Sequence, residues 1–199
     1  MRMSRLLEQR TEAPLVEELT GLAPWEACRR LADLPHLLFL DSAQTSSLGR
    51  YSYVAADPFQ WRTCPADAVK RLRPLRALQQ QLRQHRALTI PGLPPFQGGA
   101  AGLFGYDLGH EIERLPRPAV DDFQTPALAV GLYDWVISFD RQEEKAWLIS
   151  TGLPESTVHG RAARSMQRLD DVRRWLDRGI NGSDAIVNAA ESPAPRTPL

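Results

Sequence analysis

The sequence predicts a globular protein with a mixed fold, in which short β-strands and amphipathic α-helices both contribute to the core. Residues 158–176 place apolar side chains at steps of three and four, which is the spacing of one helix face. Residues 127–140 instead alternate apolar and small side chains and then become continuously apolar, a pattern typical of a central strand. The polar residues 140–143 turn the chain back into a further strand, which predicts a hairpin.

The first half of the chain is predicted to contain three strands and two helices. The strands are expected at 15–19, 36–40 and 51–56, and the helices at 24–33 and 74–86. Pro24 and Pro74 begin the two helices, because proline has a fixed φ and needs no N–H partner at the first helical position. The apolar faces are expected to be Trp25, Cys28, Leu31 and Ala32 on the first helix, and Leu75, Leu78 and Leu82 on the second.

The second half is predicted to add three strands and one long helix. The strands are expected at 97–106, 127–140 and 145–150, and the helix begins at Pro154. Gly179 is expected to follow the end of this helix, because glycine adopts the left-handed C′ conformation without strain. Asn, Gly, Ser, Ala and Pro dominate the remaining residues. We therefore expect a loose N-terminus at 1–13, one domain at 14–179, and a disordered linker or tail at 180–199 that leads toward a further domain.

Composition excludes several classes of partner. Lys and Arg number 24 and Asp and Glu also number 24, so the net charge favours no polyanion such as a nucleic acid. The sequence has no apolar run long enough to cross a bilayer and no secretory signal at its start. Cys28 and Cys64 match no metal or redox spacing and are expected to be reduced thiols. The sequence thus predicts a cytoplasmic protein without a membrane or nucleic-acid partner.

Motifs with chemical function are missing from the sequence. The glycines of residues 98–105 form neither a P-loop nor a dinucleotide fingerprint, and the four histidines match no metal spacing. The basic residues of 70–86 lack interleaved aromatics and are expected to form a solvated helix face. Asp107 and Asp134 stand out among apolar neighbours, and each is expected to cap a turn or to pair with an arginine. We expect no catalytic residue and no metal site in this chain.

Three segments resemble one known family. Residues 95–109 read P-F-Q-G-G-A-A-G-L-F-G-Y-D-L-G and residues 129–135 read A-V-G-L-Y-D-W. Residues 38–43, L-F-L-D-S-A, lead to G-R-Y-S-Y at 49–53 and fit an early hairpin of the family. Their order and spacing resemble the N-terminal domain of component I of anthranilate synthase and aminodeoxychorismate synthase. The pattern of residues 95–109 favours the aminodeoxychorismate branch.

The resemblance implies an α+β fold, with an antiparallel β-sheet system flanked by helices. It also implies the formation of 4-amino-4-deoxychorismate from chorismate, for para-aminobenzoate and folate biosynthesis, with a glutamine amidotransferase subunit as partner. In the family, chorismate and Mg²⁺ bind to a C-terminal catalytic domain whose motifs do not occur here. The chain is therefore expected to be inactive alone, to hold no cofactor, and to need a chorismate-binding domain or chain.

The resemblance further implies a pocket for L-tryptophan. The family motif L-L-E-S corresponds here to Leu40, Asp41 and Ser42, so that the shorter Asp replaces the usual Glu. Asp41 and Ser42 are expected to hold an ammonium group, and Arg50 a carboxylate. A simple strand-ending turn at Asp41 and Ser42 explains the same residues equally well. The alternatives that remain open are a stand-alone tryptophan-binding or partner-docking module, the anthranilate branch, which serves tryptophan biosynthesis, and the product of an interrupted gene.

Overall fold

The computed structural model describes residues 13–42, 44, 46, 49–116 and 123–187, and side chains as far as 178. In this part of the chain, eight strands are present: β1 (Leu15–Leu19), β2 (Leu38–Leu40), β3 (Tyr51–Ala55), β4 (Gln60–Cys64), β5 (Gly99–Phe104), β6 (Leu128–Tyr133), β7 (Trp135–Asp140) and β8 (Lys145–Ser150). The α-helices are α1 (Pro24–Arg30), α2 (Val69–Leu72), α3 (Pro74–Gln84) and α4 (Val158–Val187), and 3₁₀ helices occupy Ala66–Ala68 and Tyr106–Glu111.

The strands form two antiparallel sheets. The large sheet has the order β1-β8-β7-β3-β2, and the small sheet has the order β4-β6-β5. Every strand pair within them is antiparallel. The expected α+β fold, with antiparallel sheets flanked by helices, is confirmed.

Helices α1 and α4 cover one face of the large sheet. The apolar side chains that meet there come from three sources: Val54, Ile137 and Leu148 from the strands, Ala27 and Leu31 from α1 and its end, and Leu169, Val172 and Leu176 from α4. The expected apolar face of α1 is correct for Cys28 and Leu31 but wrong for Trp25 and Ala32, which are exposed, while Ala27 is buried in their place. The α1 helix also ends at Arg30, three residues earlier than expected.

The expected strand at 127–140 is wrong in one respect, because it is two strands in two different sheets. Tyr133 ends β6 and pairs with Gly99 in the small sheet, whereas Trp135 begins β7 and pairs with Ser150 in the large sheet. Asp134, between them, accepts the N–H of Thr151 at its backbone oxygen over 2.8 Å. Apolar periodicity did not indicate the change of sheet, because both strands are buried on both sides.

Asp134 is held by an ion pair inside the protein. Its carboxylate is fully buried, and Oδ2 lies 2.9 Å from Nη2 of Arg164 and 3.1 Å from Nε of Arg168. Arg168 also reaches Asp57, with 2.7 Å between Nη1 and Oδ2. Burial raises the pKa of the Asp134 carboxyl, and the guanidiniums of Arg168 and Arg164 oppose that shift. The expectation that Asp134 pairs with an arginine is confirmed.

Several expected boundaries need correction. Helix α4 begins at Val158 rather than Pro154 and continues through Gly179 to Val187, so the expected C′ role of Gly179 is wrong. The first residues of the tail expected at 180–199 are therefore helical. Residues 188–199, like residues 1–12, lie outside the described part of the chain, and the domain boundaries remain predictions. Strand β4 was not expected at all, because Gln60–Cys64 mixes polar and apolar residues without a clear run.

The remaining acid singled out in the sequence, Asp107, contacts a histidine rather than an arginine. Its Oδ1 lies 3.7 Å from Nε2 of the buried His110. Glu111 caps the start of α3, since its carboxylate accepts the N–H groups of Leu75 and Arg76 over 2.9 and 3.2 Å. None of the helices in the described residues has the length and apolar composition that a membrane-spanning helix needs.

The ion pair of Asp134 yields a first prediction. Replacing Arg168 by Met should lower the free energy of unfolding by about 3 kcal/mol, because Asp134 stays buried with only one cationic partner. Arg174→Met on the same helix is the matched control, since Arg174 is exposed and contacts Asp171 and the backbone oxygen of Asp170, and it should change stability by at most about 0.5 kcal/mol. Urea unfolding followed by circular dichroism measures both. Equal effects of the two substitutions would contradict a stabilising role of the buried pair.

Candidate functional site at the end of strands β2, β3 and β7

The four residues expected to form a ligand pocket lie around one end of the large sheet. Leu40 ends the edge strand β2, where it pairs with Tyr53 and is largely exposed. Asp41 and Ser42 follow directly, and Arg50 precedes β3. Because β3 pairs with β7, the backbone oxygen of Arg50 accepts the N–H of Arg141 over 2.9 Å. The structure thus places Asp41, Ser42 and Arg50 around the β7–β8 turn. We call the region formed by this turn and by Leu40, Asp41, Ser42 and Arg50 the β7 corner.

Arg50 forms a bidentate ion pair with Asp140 in the β7 corner. Its Nε lies 2.9 Å from each carboxylate oxygen, and its Nη2 lies 2.5 Å from Oδ2. The Asp140 carboxylate is nearly buried and also accepts the N–H groups of Gln142 and Glu143. The hydrogen bond from Arg50 lowers the pKa of Asp140, and the same bond raises the pKa of Arg50. A ligand carboxylate at Arg50 would therefore compete with Asp140.

Asp41 remains more accessible than Asp140. Its Oδ1 accepts the hydroxyl of the buried Ser52 over 2.5 Å and lies 3.6 Å from Nη1 of Arg141. Arg141 also donates to the backbone oxygen of Ser42. The Asp41 carboxylate is 39% exposed, so one of its faces is open to an ammonium group from solvent.

The residues that sequence reasoning missed in the β7 corner are Ser52, Asp140 and Arg141. Each belongs to β3, to the end of β7 or to the turn after it, and their proximity to Asp41 depends on the pairing of β2 with β3 and of β3 with β7. The only sequence feature that pointed to any of these residues was the turn pattern at residues 140–143, which predicts a hairpin and not a site. The corner contains as many arginines as aspartates, so its charge is locally balanced.

A cavity adjoins the β7 corner. It has a volume of about 500 Å³ and lies between the β1–α1 loop and the β7–β8 hairpin. Asp140 and Arg141 line it, together with Glu18, Glu144 and Lys145, whereas Leu40, Asp41, Ser42 and Arg50 do not. The lining presents both charges, which suits the binding of a small zwitterion better than a chemical step. Across the described ranges, no group of three or more His, Cys, Asp or Glu side chains could hold a metal ion.

Comparison with known proteins identifies the family. A family model described as chorismate binding enzyme matches residues 37–196. Aminodeoxychorismate synthase component 1 of Escherichia coli is 39% identical over 133 residues, which cover 61% of this chain and 29% of that protein. Anthranilate synthase component 1 of Mycobacterium tuberculosis is 34% identical over 191 residues, which cover 87% of this chain and 35% of that protein. The antiparallel α+β fold agrees with this match.

The chain belongs to the family of chorismate binding enzymes. Among its relatives are proteins named as component 1 of aminodeoxychorismate synthase and of anthranilate synthase, so the resemblance seen in the sequence is confirmed. The chain spans about a third of the length of the curated relatives it matches. Those relatives are named as first components, which implies a partner subunit for them.

The ion pair between Arg50 and Asp140 yields a second prediction. Because the pKa of Asp140 lies below its usual 3.8, its contribution to stability is complete above about pH 4 and is lost as the pH falls through the lowered pKa. Asp140→Asn should therefore be less stable than the unaltered chain at about pH 7, and the difference should shrink below about pH 4. Urea unfolding at a series of pH values measures it, with Asp170→Asn as an exposed control. A difference that grows in acid would contradict this assignment.

Proposed function

We propose that this chain is the N-terminal, non-catalytic domain of an aminodeoxychorismate synthase component I. In this proposal it supports the formation of 4-amino-4-deoxychorismate from chorismate, for para-aminobenzoate and folate biosynthesis. The identity of 39% to the Escherichia coli protein of that name supports the choice of branch. The P-F-Q-G-G pattern at residues 95–99 also supports it, because this pattern resembles the aminodeoxychorismate branch of the family.

The observation that carries the proposal of a non-catalytic role is that residues of the segment 95–109 make structural contacts within the domain. The Gln97 side chain is buried, accepts the N–H of Ile90 over 2.8 Å, and donates to the oxygens of Ile90 and Pro94 over 2.9 and 3.2 Å. Gly102 has a φ of +146°, and a Cβ there would come within 2.2 Å of the backbone oxygen of Ala129. The motif residues are thus engaged in closing a loop and packing two strands, which supports a scaffolding role rather than contact with a substrate.

The reacting groups, in this proposal, belong to a chorismate-binding domain or chain outside this sequence. That part would also bind Mg²⁺, and a glutamine amidotransferase subunit would supply ammonia. The names of the relatives as first components support the presence of a partner. The relatives are also much longer than the segment they share with this chain, which leaves room for such a domain.

The anthranilate branch is the second candidate. The Mycobacterium tuberculosis anthranilate synthase component 1 matches 87% of this chain, against 61% for the Escherichia coli aminodeoxychorismate synthase component 1. The longer match is at lower identity, 34% against 39%. The pattern of residues 95–109 still favours the aminodeoxychorismate branch. The two branches differ in product, so the product formed by the assembled enzyme distinguishes them.

We also propose that the β7 corner binds L-tryptophan through Leu40, Asp41, Ser42 and Arg50. The open face of the Asp41 carboxylate supports the binding of an ammonium group there. The exposed Leu40 side chain offers an apolar contact for an indole ring. Arg50 is already paired with Asp140, so a ligand carboxylate gains less from it than from a free arginine, and we expect weak binding.

The proposed function predicts no turnover by the chain alone. Purified protein supplied with chorismate, Mg²⁺ and ammonia should form no aminodeoxychorismate, because the proposal assigns the groups that react with the ring to another domain or chain. Chromatography of the products measures this, and the Escherichia coli aminodeoxychorismate synthase component 1 is the positive control. Product above the background without protein would overturn the non-catalytic assignment.

The proposed pocket predicts a measurable interaction with tryptophan. Calorimetry with millimolar L-tryptophan should give heat of binding, and Asp41→Asn should weaken the affinity at least about tenfold, because the ammonium loses its charged acceptor. Asp107→Asn is the control, since this carboxylate is similarly exposed but follows β5 of the small sheet. An absence of heat with the unaltered chain, or equal affinity of all three proteins, would argue against a pocket in this domain.

A further inference from the structure

Large apolar side chains are exposed together at one end of the small sheet. Leu103 and Phe104 end strand β5 and are 42% and 50% exposed, Tyr106 begins the following 3₁₀ helix and is 83% exposed, and Ile112 after that helix is 80% exposed. We call these four residues the β5 ridge. They lie within ten consecutive residues, whereas an ordinary surface scatters such side chains singly.

The end of one face of the small sheet adjoins Leu103 of the β5 ridge. The opposite face is covered, since Leu128, Val130 and Leu132 of β6 pack against Val69, Leu78 and Leu108. The other face is largely buried, since Ala101 and Tyr133 belong to a core cluster with Ile149. At its end, the exposed Thr63 and Leu103 flank Ala129 in the strand register. An antiparallel sheet with one face in water normally carries polar side chains on it. The end of this face instead presents an aliphatic side chain, a methyl group and a threonine.

Strand β5 also has a free edge. In the order β4-β6-β5 it pairs with β6 alone, so the backbone groups on its other side have no strand partner among the described residues. Proteins commonly protect such edges with charged side chains or proline. The six residues of β5, Gly99–Phe104, contain neither. A free edge beside apolar side chains favours the addition of an extended segment from another polypeptide or domain.

We propose that the β5 ridge and the free edge of β5 form the docking surface for the chorismate-binding part of the enzyme, which adds an extended apolar segment alongside β5. This inference rests on the proposed function. The occupant follows from length, because the segments shared with this chain make up only 29% and 35% of the two relatives compared above. Asp107, Glu113 and Arg114 are polar neighbours of the ridge residues along the sequence, and polar residues are typical of the rim of a protein interface.

Co-expression tests this surface. The probe is the part of the Escherichia coli aminodeoxychorismate synthase component 1 that lies outside the segment similar to this chain, produced together with the tagged chain. The test variants are Leu103→Lys, which puts a charge at the edge, and the double variant Tyr106→Ser with Ile112→Ser. The control is the double variant Val158→Ser with Met166→Ser, which changes two exposed apolar residues of α4. Circular dichroism and thermal unfolding confirm that each variant is folded.

The unaltered chain and the control should retain the probe on affinity purification, and both ridge variants should weaken its binding at least about tenfold. Equal retention by all variants, or no complex with the unaltered chain, would overturn the docking surface. So would a dimer of the chain alone that the ridge variants abolish, because a second copy would then be the occupant. A different result would contradict the proposed function and leave the docking surface intact: the complex forms at the ridge but converts chorismate and ammonia to anthranilate or to no product.

Discussion

The buried carboxylate of Asp134 is the constraint on which the rest of the structure depends. It stands where the chain leaves the small sheet and enters the large one, and it pairs with Arg164 and Arg168 of helix α4. A buried charge is stable only with partners close by, so the helix has to lie where its arginines reach the sheet junction. The same helix then covers the large sheet with Leu169 and Val172. The ion pairs of this one carboxylate thus connect the junction of the two sheets to the long helix.

Charge pairing also defines the β7 corner. Arg50 and Arg141 each contact an aspartate, and the N–H groups of the β7–β8 turn complete the coordination of Asp140. The proposed recognition of a small zwitterion would use the open face of the Asp41 carboxylate. The corner limits the gain from binding, because existing pairs have to be shared. The site and the scaffold are therefore built from the same interactions.

The two sheets differ in how completely they are covered. The large sheet has α1 and α4 on one face, whereas the small sheet has exposed apolar side chains at the end of β5 and a free edge there among the described residues. This asymmetry is consistent with a domain that forms one side of a larger enzyme. Membership in the chorismate binding enzymes and the length of the relatives point the same way. The proposed scaffolding role and the proposed docking surface are two aspects of one arrangement.

The sequence by itself determined the class of fold, the family and most of the elements, because periodicity, Pro24, Pro74 and the glycine motif act locally along the chain. It also indicated that Asp134 either caps a turn or pairs with an arginine, and the second holds. Only the tertiary structure decided that residues 127–140 form strands of two sheets, that α4 continues through Gly179, and that Arg50 forms an ion pair with Asp140. Each of these depends on which segments meet across the chain, and a buried apolar run has the same local pattern in either sheet.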